Sequence, residues 1–273
     1  MKSQIAYQKP SFLNISEKSF SVMGSIARAA LMVSLASIVL SACAINQSTP
    51  QSPDYSNLSQ VDAQSSLAQL AARFEANRGD KFAAINFAAA LRGANQPKQA
   101  IAVLEVTLEN YNNDPDVDVA YAKALAADGR FEQALNVINN TIRPENPDWN
   151  ALSVKGAILD QMGQNEQARA LYNQAMVLAP NEASLEANLG LSFAMTGDLQ
   201  RAEIHLKRAL TKSGANSRIR QNLALVIGLQ GRFDEARVIY QAELSPDEVE
   251  TNMAYIRTLL TQQNRWEAIE NAG

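Results

Sequence analysis

The sequence predicts an all-α protein built from repeated helical hairpins, and two observations lead to this fold class. Aromatic residues make up only 6% of the 273 residues, alanine is common and β-branched runs are scarce, so close-packed helices are favoured over sheets. Small residues also recur every 34 residues, as glycine (Gly129, Gly163, Gly197, Gly231) and as alanine (Ala100, Ala134, Ala168, Ala202, Ala236). Glycines held in register over such a distance indicate an internal repeat.

The unit at 149–182 shows how one repeat is expected to fold. Apolar and small residues at spacings of four and three share one face of a first helix: Leu152, Gly156, Leu159. Gly163 ends that helix, because a left-handed backbone is needed there and glycine adopts it at the lowest cost. A matching stripe follows on a second helix: Ala168, Tyr172, Ala175. Pro180 stops this helix, so the unit is a helical hairpin.

The same pattern divides the rest of the chain. We predict complete units at 81–114, 115–148, 149–182, 183–216 and 217–250, and a partial unit at 251–273. Asn95 replaces the turn glycine in the first unit and preserves the turn, since asparagine also tolerates a positive φ. A capping helix is predicted within 63–80. In the partial unit, we expect a last helix followed by a truncated partner.

A 34-residue hairpin with this pattern of small residues resembles the tetratricopeptide repeat (TPR), and the resemblance covers residues 81–273. It implies a solenoid of about five to six repeats that winds into a right-handed superhelix. It also implies that the first helices line the concave surface. Each hairpin buries its apolar face only when a neighbour covers it, so stability is a sum of local and nearest-neighbour contributions.

The first 42 residues have the features of a secretory signal peptide. An apolar run at 29–40 is too short to span a bilayer comfortably, and positive charge precedes it. The run ends in Leu40-Ser41-Ala42-Cys43, which resembles the bacterial lipobox. We therefore predict cleavage before Cys43 and lipidation of its thiol; the alternative is an uncleaved anchor helix with an incidental cysteine. Met23 is an alternative start.

Residues 43–62 are expected to form a lipidated N-terminus and a disordered linker, because they are rich in Ser, Gln, Asn and Pro without a helical apolar period. Several acyl chains on Cys43 would exceed what stable membrane anchoring requires. Ala44 stands where an Asp would signal retention at the inner membrane. By analogy with enterobacterial sorting, this favours the periplasmic side of the outer membrane; an inner-membrane location is the alternative.

The resemblance also implies which residues face the groove. Asparagine occupies position six of three units: Asn86, Asn188, Asn222. In related repeats such an asparagine often bonds the backbone of an extended peptide, although it is also the consensus residue there. Positions nine and thirteen of the later units form an apolar strip: Leu191, Met195, Leu225, Leu229. The strip is expected to bind a peptide or helix, unless the chain's own last helix folds back over it.

Composition argues against several other functions. The chain has 24 Lys and Arg against 28 Asp and Glu, so it lacks the basic excess of a nucleic-acid binder. With one cysteine and one histidine, most metal-site, thiol and imidazole chemistry is excluded. His205 has no metal-ligand neighbour at a suitable spacing, and the pairs Asp234–Glu235 and Asp247–Glu248 fall at predicted helix starts. We expect no enzyme, cofactor or small-molecule substrate.

Two further stretches, 218–232 and 252–257, together with the lipobox and the repeat number, resemble the TadD-like TPR lipoproteins of the alphaproteobacterial tight-adherence (Tad, or Flp) pilus system. This resemblance implies an envelope-anchored scaffold that helps a pilus secretion complex assemble, with the outer-membrane secretin as a candidate partner. The alternative is a general envelope adaptor that recruits a protease or a cell-wall enzyme.

Overall fold

The computed structural model describes residues 60–270, and within this range the chain forms twelve helices. They are α1 (Gln60–Ala76), α2 (Lys81–Gly93), α3 (Pro97–Leu108), α4 (Pro115–Ala127), α5 (Phe131–Thr141), α6 (Trp149–Gln161), α7 (Asn165–Leu178), α8 (Ala183–Met195), α9 (Leu199–Ala209), α10 (Ser217–Leu229), α11 (Phe233–Gln241) and α12 (Pro246–Glu270). The predicted all-α fold class is confirmed. The predicted signal peptide, Cys43 and most of the linker lie outside the described residues.

Helices α2 to α11 pair into five consecutive hairpins that stack side by side. The first helix of each hairpin (α2, α4, α6, α8, α10) contacts its own second helix and also the first helix of the next hairpin. Contacts between successive second helices are sparser, so the first helices form the tighter, inner layer of a curved stack. No helix within 60–270 combines the length and apolar character needed to cross a membrane.

The turn between the two helices of each hairpin uses a left-handed residue, as the sequence predicts. Gly163 has a φ of 76°, and Asn95 has a φ of 58° in the first hairpin. Gly129, Gly197 and Gly231 adopt the same region. The asparagine therefore replaces the glycine without loss of the turn. Asn113, just before α4, also has a φ of 58°, which the repeat pattern did not predict.

A second element with the same 34-residue period is the cap in front of each first helix. The side chain of the residue before each of these five helices accepts a backbone N–H of the first turn: Asp80, Asp114, Asp148, Glu182, Asn216. Such caps satisfy N–H groups that have no partner inside the helix, and each contributes about 1 kcal/mol. The five caps fix where every inner helix begins.

The two helices of a hairpin cross at small residues. A Cβ atom on Gly156 would lie 2.7 Å from the ring of Tyr172, so the ring occupies the space that a side chain would need. Ala168 is fully buried in a cluster with Leu159, Tyr172 and Leu189. This cluster joins three helices, α6, α7 and α8, and it fixes the angle between neighbouring hairpins.

The C-terminal end differs from the expectation of a last helix and a truncated partner. Pro246 begins α12, and the helix continues without interruption to Glu270, so the expected turn is absent. The reason is local: residues 261–265 contain neither glycine nor proline, and nothing ends the helix. Met253 and Ile256 of α12 are fully buried against the last hairpin.

A candidate binding groove on the inner helices

The candidate site is the surface formed by the inner helices α2, α4, α6, α8 and α10, which we call the groove. All three asparagines predicted for it lie on these helices: Asn86 on α2, Asn188 on α8 and Asn222 on α10. Asn86 is half-buried, whereas Asn188 and Asn222 are 6% and 5% exposed. A peptide-binding role for the three stays a prediction.

The two buried asparagines have different surroundings. Asn188 Nδ2 donates a hydrogen bond of 3.0 Å to Ser153 Oγ, which links the fourth hairpin to the third. Asn222 Nδ2 is buried and has no hydrogen-bond partner in the described part of the chain. A buried donor without an acceptor costs about 1–3 kcal/mol, so the amide of Asn222 would gain from an acceptor brought by a ligand.

The four predicted apolar residues lie on α8 and α10 and are less exposed than an open strip requires. Leu191, Met195 and Leu225 are 3%, 5% and 5% exposed, and Leu229 is half-buried. Leu225 and Leu229 belong to the same apolar cluster as Met253 and other residues of α12. At this end of the groove, part of the strip therefore contributes to the protein's own core. A partner contact at these residues stays a prediction.

A small polar cavity of about 10 Å³ lies in the middle of the groove. Its lining comes from three consecutive hairpins: Lys123, Trp149, Asn150, Ser153, Val154, Ala157, Ser184 and Asn188. Lys123 Nζ donates a hydrogen bond of 3.1 Å to Asn150 Oδ1. The Ser184 hydroxyl donates to Glu182 Oε1. The cavity therefore combines a buried ammonium group with several uncharged hydrogen-bonding side chains.

The sequence analysis did not select Lys123, Asn150, Ser153 or Ser184, although the repeat register carries a signal for them. Lys123 occupies position nine of its unit, where later units have Leu191 and Leu225. Asn150 and Ser184 occupy position two of successive units. A lysine among leucines at an inward position is the feature that could have identified the cavity.

A second buried polar group joins the third and fourth hairpins below the groove. Asp160 is 4% exposed, and its Oδ1 accepts from Asn165 Nδ2 and Ser192 Oγ, each at 2.8 Å. Its Oδ2 accepts from the Tyr172 hydroxyl at 2.9 Å. Burial raises the pKa of the Asp160 carboxyl, although these hydrogen bonds act in the opposite direction. The group connects α6, α7 and α8.

The remaining candidates from the sequence occupy structural positions. His205 Nδ1 lies 2.7 Å from Glu186 Oε2, and its ring stacks on Phe193 with centroids 5.4 Å apart. Asp234–Glu235 and Asp247–Glu248 fall in the first turns of α11 and α12, as predicted. Between residues 60 and 270, no group of three or more metal-ligating side chains comes together.

Comparisons with known proteins agree with this architecture. A family model described as a tetratricopeptide repeat-like domain matches residues 26–194. A thermophilic TPR protein from Thermus thermophilus is similar in structure, with a TM-score of 0.56 and 22% identity over 64% of this chain and 97% of that one. No curated protein matches the sequence.

Two other solved structures share the fold at lower sequence identity. PilW, a widely conserved type IV pilus biogenesis factor, has a TM-score of 0.52 and 16% identity over 70% of this chain and 90% of its own. The human IFIT1 dimer with m7Gppp-AAAA has a TM-score of 0.57 and 14% identity over 72% of this chain and 50% of its own. At these identities the likeness shows the fold alone. Repeats of this kind are scaffolds for protein binding, and with more than half of its length matched, this chain belongs to the tetratricopeptide repeat-like domain family.

Proposed function

We propose that the protein is a membrane-anchored TPR scaffold lipoprotein that assists assembly of the Tad/Flp pilus secretion apparatus by binding a segment of another component in its groove. The observation that carries the binding part of this proposal is the amide of Asn222, a buried donor on an inner helix without a hydrogen-bond partner among the described residues. The backbone carbonyl of an extended partner segment would supply the missing acceptor.

Backbone recognition gives affinity and register but no sequence preference. Side chains of the partner would supply specificity through contact with the apolar residues of the groove and with the cavity around Lys123. Because the groove spans five hairpins, a segment bound along it could contact all of them. The fold thus suits a scaffold, and the proposal requires no chemical step by this chain.

The pilus part of the proposal rests on the sequence. The lipobox ending at Cys43 and the stretches at 218–232 and 252–257 resemble Tad lipoproteins, and anchoring through Cys43 would place the groove on the periplasmic side of the outer membrane. PilW, described as a type IV pilus biogenesis factor, has the same fold, which agrees with this proposal. A secretin is the first partner to test.

Site-specific photocrosslinking in intact cells tests the proposal. A photoreactive amino acid replaces Gln221, a half-buried residue on α10 next to Asn222, and in a matched strain it replaces Val177, which is 82% exposed on the outer helix α7. We expect crosslinks to a pilus-apparatus component from position 221 and none from position 177. Capture of a protease or cell-wall enzyme from position 221, with no pilus component, would support a general envelope adaptor instead.

A further inference from the structure

The cavity in the middle of the groove is rich in hydrogen-bond donors. Lys123 is 8% exposed and carries a positive charge. Asn150 uses its side-chain oxygen to accept from Lys123, so its amide nitrogen is the atom that can donate to a ligand. Ser153 Oγ accepts from Asn188, so its own proton can be donated as well. The group that complements such a set is a pure acceptor, and a carboxylate is one.

The surroundings strengthen the preference for a negative charge. Trp149, Val154 and Ala157 form apolar walls of the cavity, and a charge pair in such a setting is less screened than one in water. At about 10 Å³, the cavity has room for roughly one water-sized group. One carboxylate oxygen fits this space, whereas a phosphate, with three terminal oxygens, would not.

The charges on the rest of the groove point in the same direction. The inward positions of the five complete units also carry two arginines, Arg92 and Arg218. Two acidic residues occupy equivalent positions, and both are engaged within the protein. Asp116 lies 3.1 Å from Lys81 Nζ, and Asp160 is buried among its hydrogen-bond donors. The groove is therefore basic although the whole chain has a net charge of −4.

We propose that the cavity bounded by Lys123, Asn150 and Ser153 is a subsite for an acidic side chain, Asp or Glu, within an extended partner segment. The inference rests on the proposed function, because it requires the groove to bind a protein segment. The cavity is formed by the second, third and fourth of five hairpins, so Asn86 and Asn222 lie on opposite sides of it. A segment that contacts both passes through the cavity, and its side chain, not its chain end, lies there.

The full-length protein in detergent, probed with an array of randomised peptides, tests the subsite. Each peptide is N-acetylated and is made once with a C-terminal amide and once with a free carboxylate. Among the amidated peptides, we expect enrichment of Asp or Glu at one internal position. Replacing that acid by its amide should lower affinity for the wild-type protein about tenfold, the effect of one favourable charge pair.

Variants of the protein assign the effect to Lys123. Lys123→Gln should bind the acidic peptide and its amide analogue equally well, with an unchanged circular dichroism spectrum. Lys98→Gln, the same change at an exposed residue of α3, should keep the tenfold difference. If Lys123→Gln fails to fold, the comparison of acid and amide peptides on the wild-type protein still decides the question.

Other results would overturn the subsite in distinguishable ways. Enrichment of amidated peptides without a preference for Asp or Glu would refute the acidic subsite and leave groove binding intact. Enrichment confined to peptides with a free C-terminal carboxylate would show that the cavity captures a chain end. An array with no enriched peptide would refute both the subsite and the proposed binding function.

Discussion

Glu203 of α9 ties two neighbouring hairpins together. Its carboxylate accepts a hydrogen bond from Lys207 of the same helix at 2.6 Å, and from Gln230 and Arg232 of the next hairpin at 2.8 and 2.7 Å. Burial raises the pKa of Glu203, but these hydrogen bonds outweigh that effect and lower the pKa to about 2. Asp160 shows the opposite balance, because it is more deeply buried and its pKa is raised.

These shifts give a prediction for the pH dependence of stability. A carboxyl group with a depressed pKa in the folded state stabilises the protein above its unfolded pKa, and this contribution is lost as the pH falls. For Glu203 the loss occurs between its ordinary pKa of 4.5 and about 2. We expect it to amount to on the order of 1 kcal/mol after solvent screening.

The matched variant is Glu203→Gln, compared with the wild type by urea denaturation across this pH range. The variant should be less stable near neutral pH, and the difference should shrink as the pH approaches 2. Asp160 is present in both proteins, so its opposite contribution, which is lost as the pH rises, cancels in the comparison. A difference in stability that stays constant with pH would contradict the assignment.

At the scale of helices, the small residues at the crossing points set the geometry of each hairpin. Ala168 has no exposed surface and contacts the cluster of Leu159, Tyr172 and Leu189. Ala170 is on the same helix, α7, and is exposed. The two alanines differ in burial while sharing helix and residue type, so they form a natural pair for a test of packing.

We expect Ala168→Leu to lower the free energy of unfolding by about 1–3 kcal/mol, because the larger side chain overpacks the helix crossing. Ala170→Leu should change it by less than about 0.5 kcal/mol, as is usual for an exposed site. Chemical denaturation followed by circular dichroism measures both. Equal effects of the two substitutions would show that the crossing does not require a small residue.

The sequence predicts the helices and turns well because their determinants are local and recur every 34 residues. Gly163 and Asn95 specify their turns through their own backbone preferences. The uninterrupted α12 was missed, because the repeat pattern suggested a turn that no residue at 261–265 enforces. The cavity was also missed: Lys123 and Asn150 are 27 residues apart, and only the stacking of two hairpins brings them together.

At the scale of the whole molecule, the proposed architecture separates anchoring from binding. The lipid would be attached at Cys43, whereas the first described helix begins at Gln60 and the groove begins with α2. Each hairpin of the stack contacts mainly its neighbours, so the array has no structural need for the anchor. Location and folding should therefore respond to different mutations.

Cys43→Ala tests this separation. The variant should lose metabolic labelling with fatty acid and leave the outer-membrane fraction, while the helical content measured by circular dichroism stays the same. A companion deletion of residues 43–59 from a soluble form should leave the melting temperature unchanged. A large shift in melting temperature would mean that this segment is part of the folded array, and retained labelling of Cys43→Ala would exclude Cys43 as the lipidation site.

The measurement that tests the central claim most directly is co-purification of the pilus secretion complex with groove-filling and control variants. Gln221→Trp places a bulky side chain on the groove, and Ala170→Trp places the same side chain on the exposed face of α7. If the groove binds the partner, the complex is recovered with wild type and Ala170→Trp and is lost with Gln221→Trp, all three proteins being equally folded and equally abundant. Equal recovery with both tryptophan variants would contradict the claim that the inner helices hold the partner.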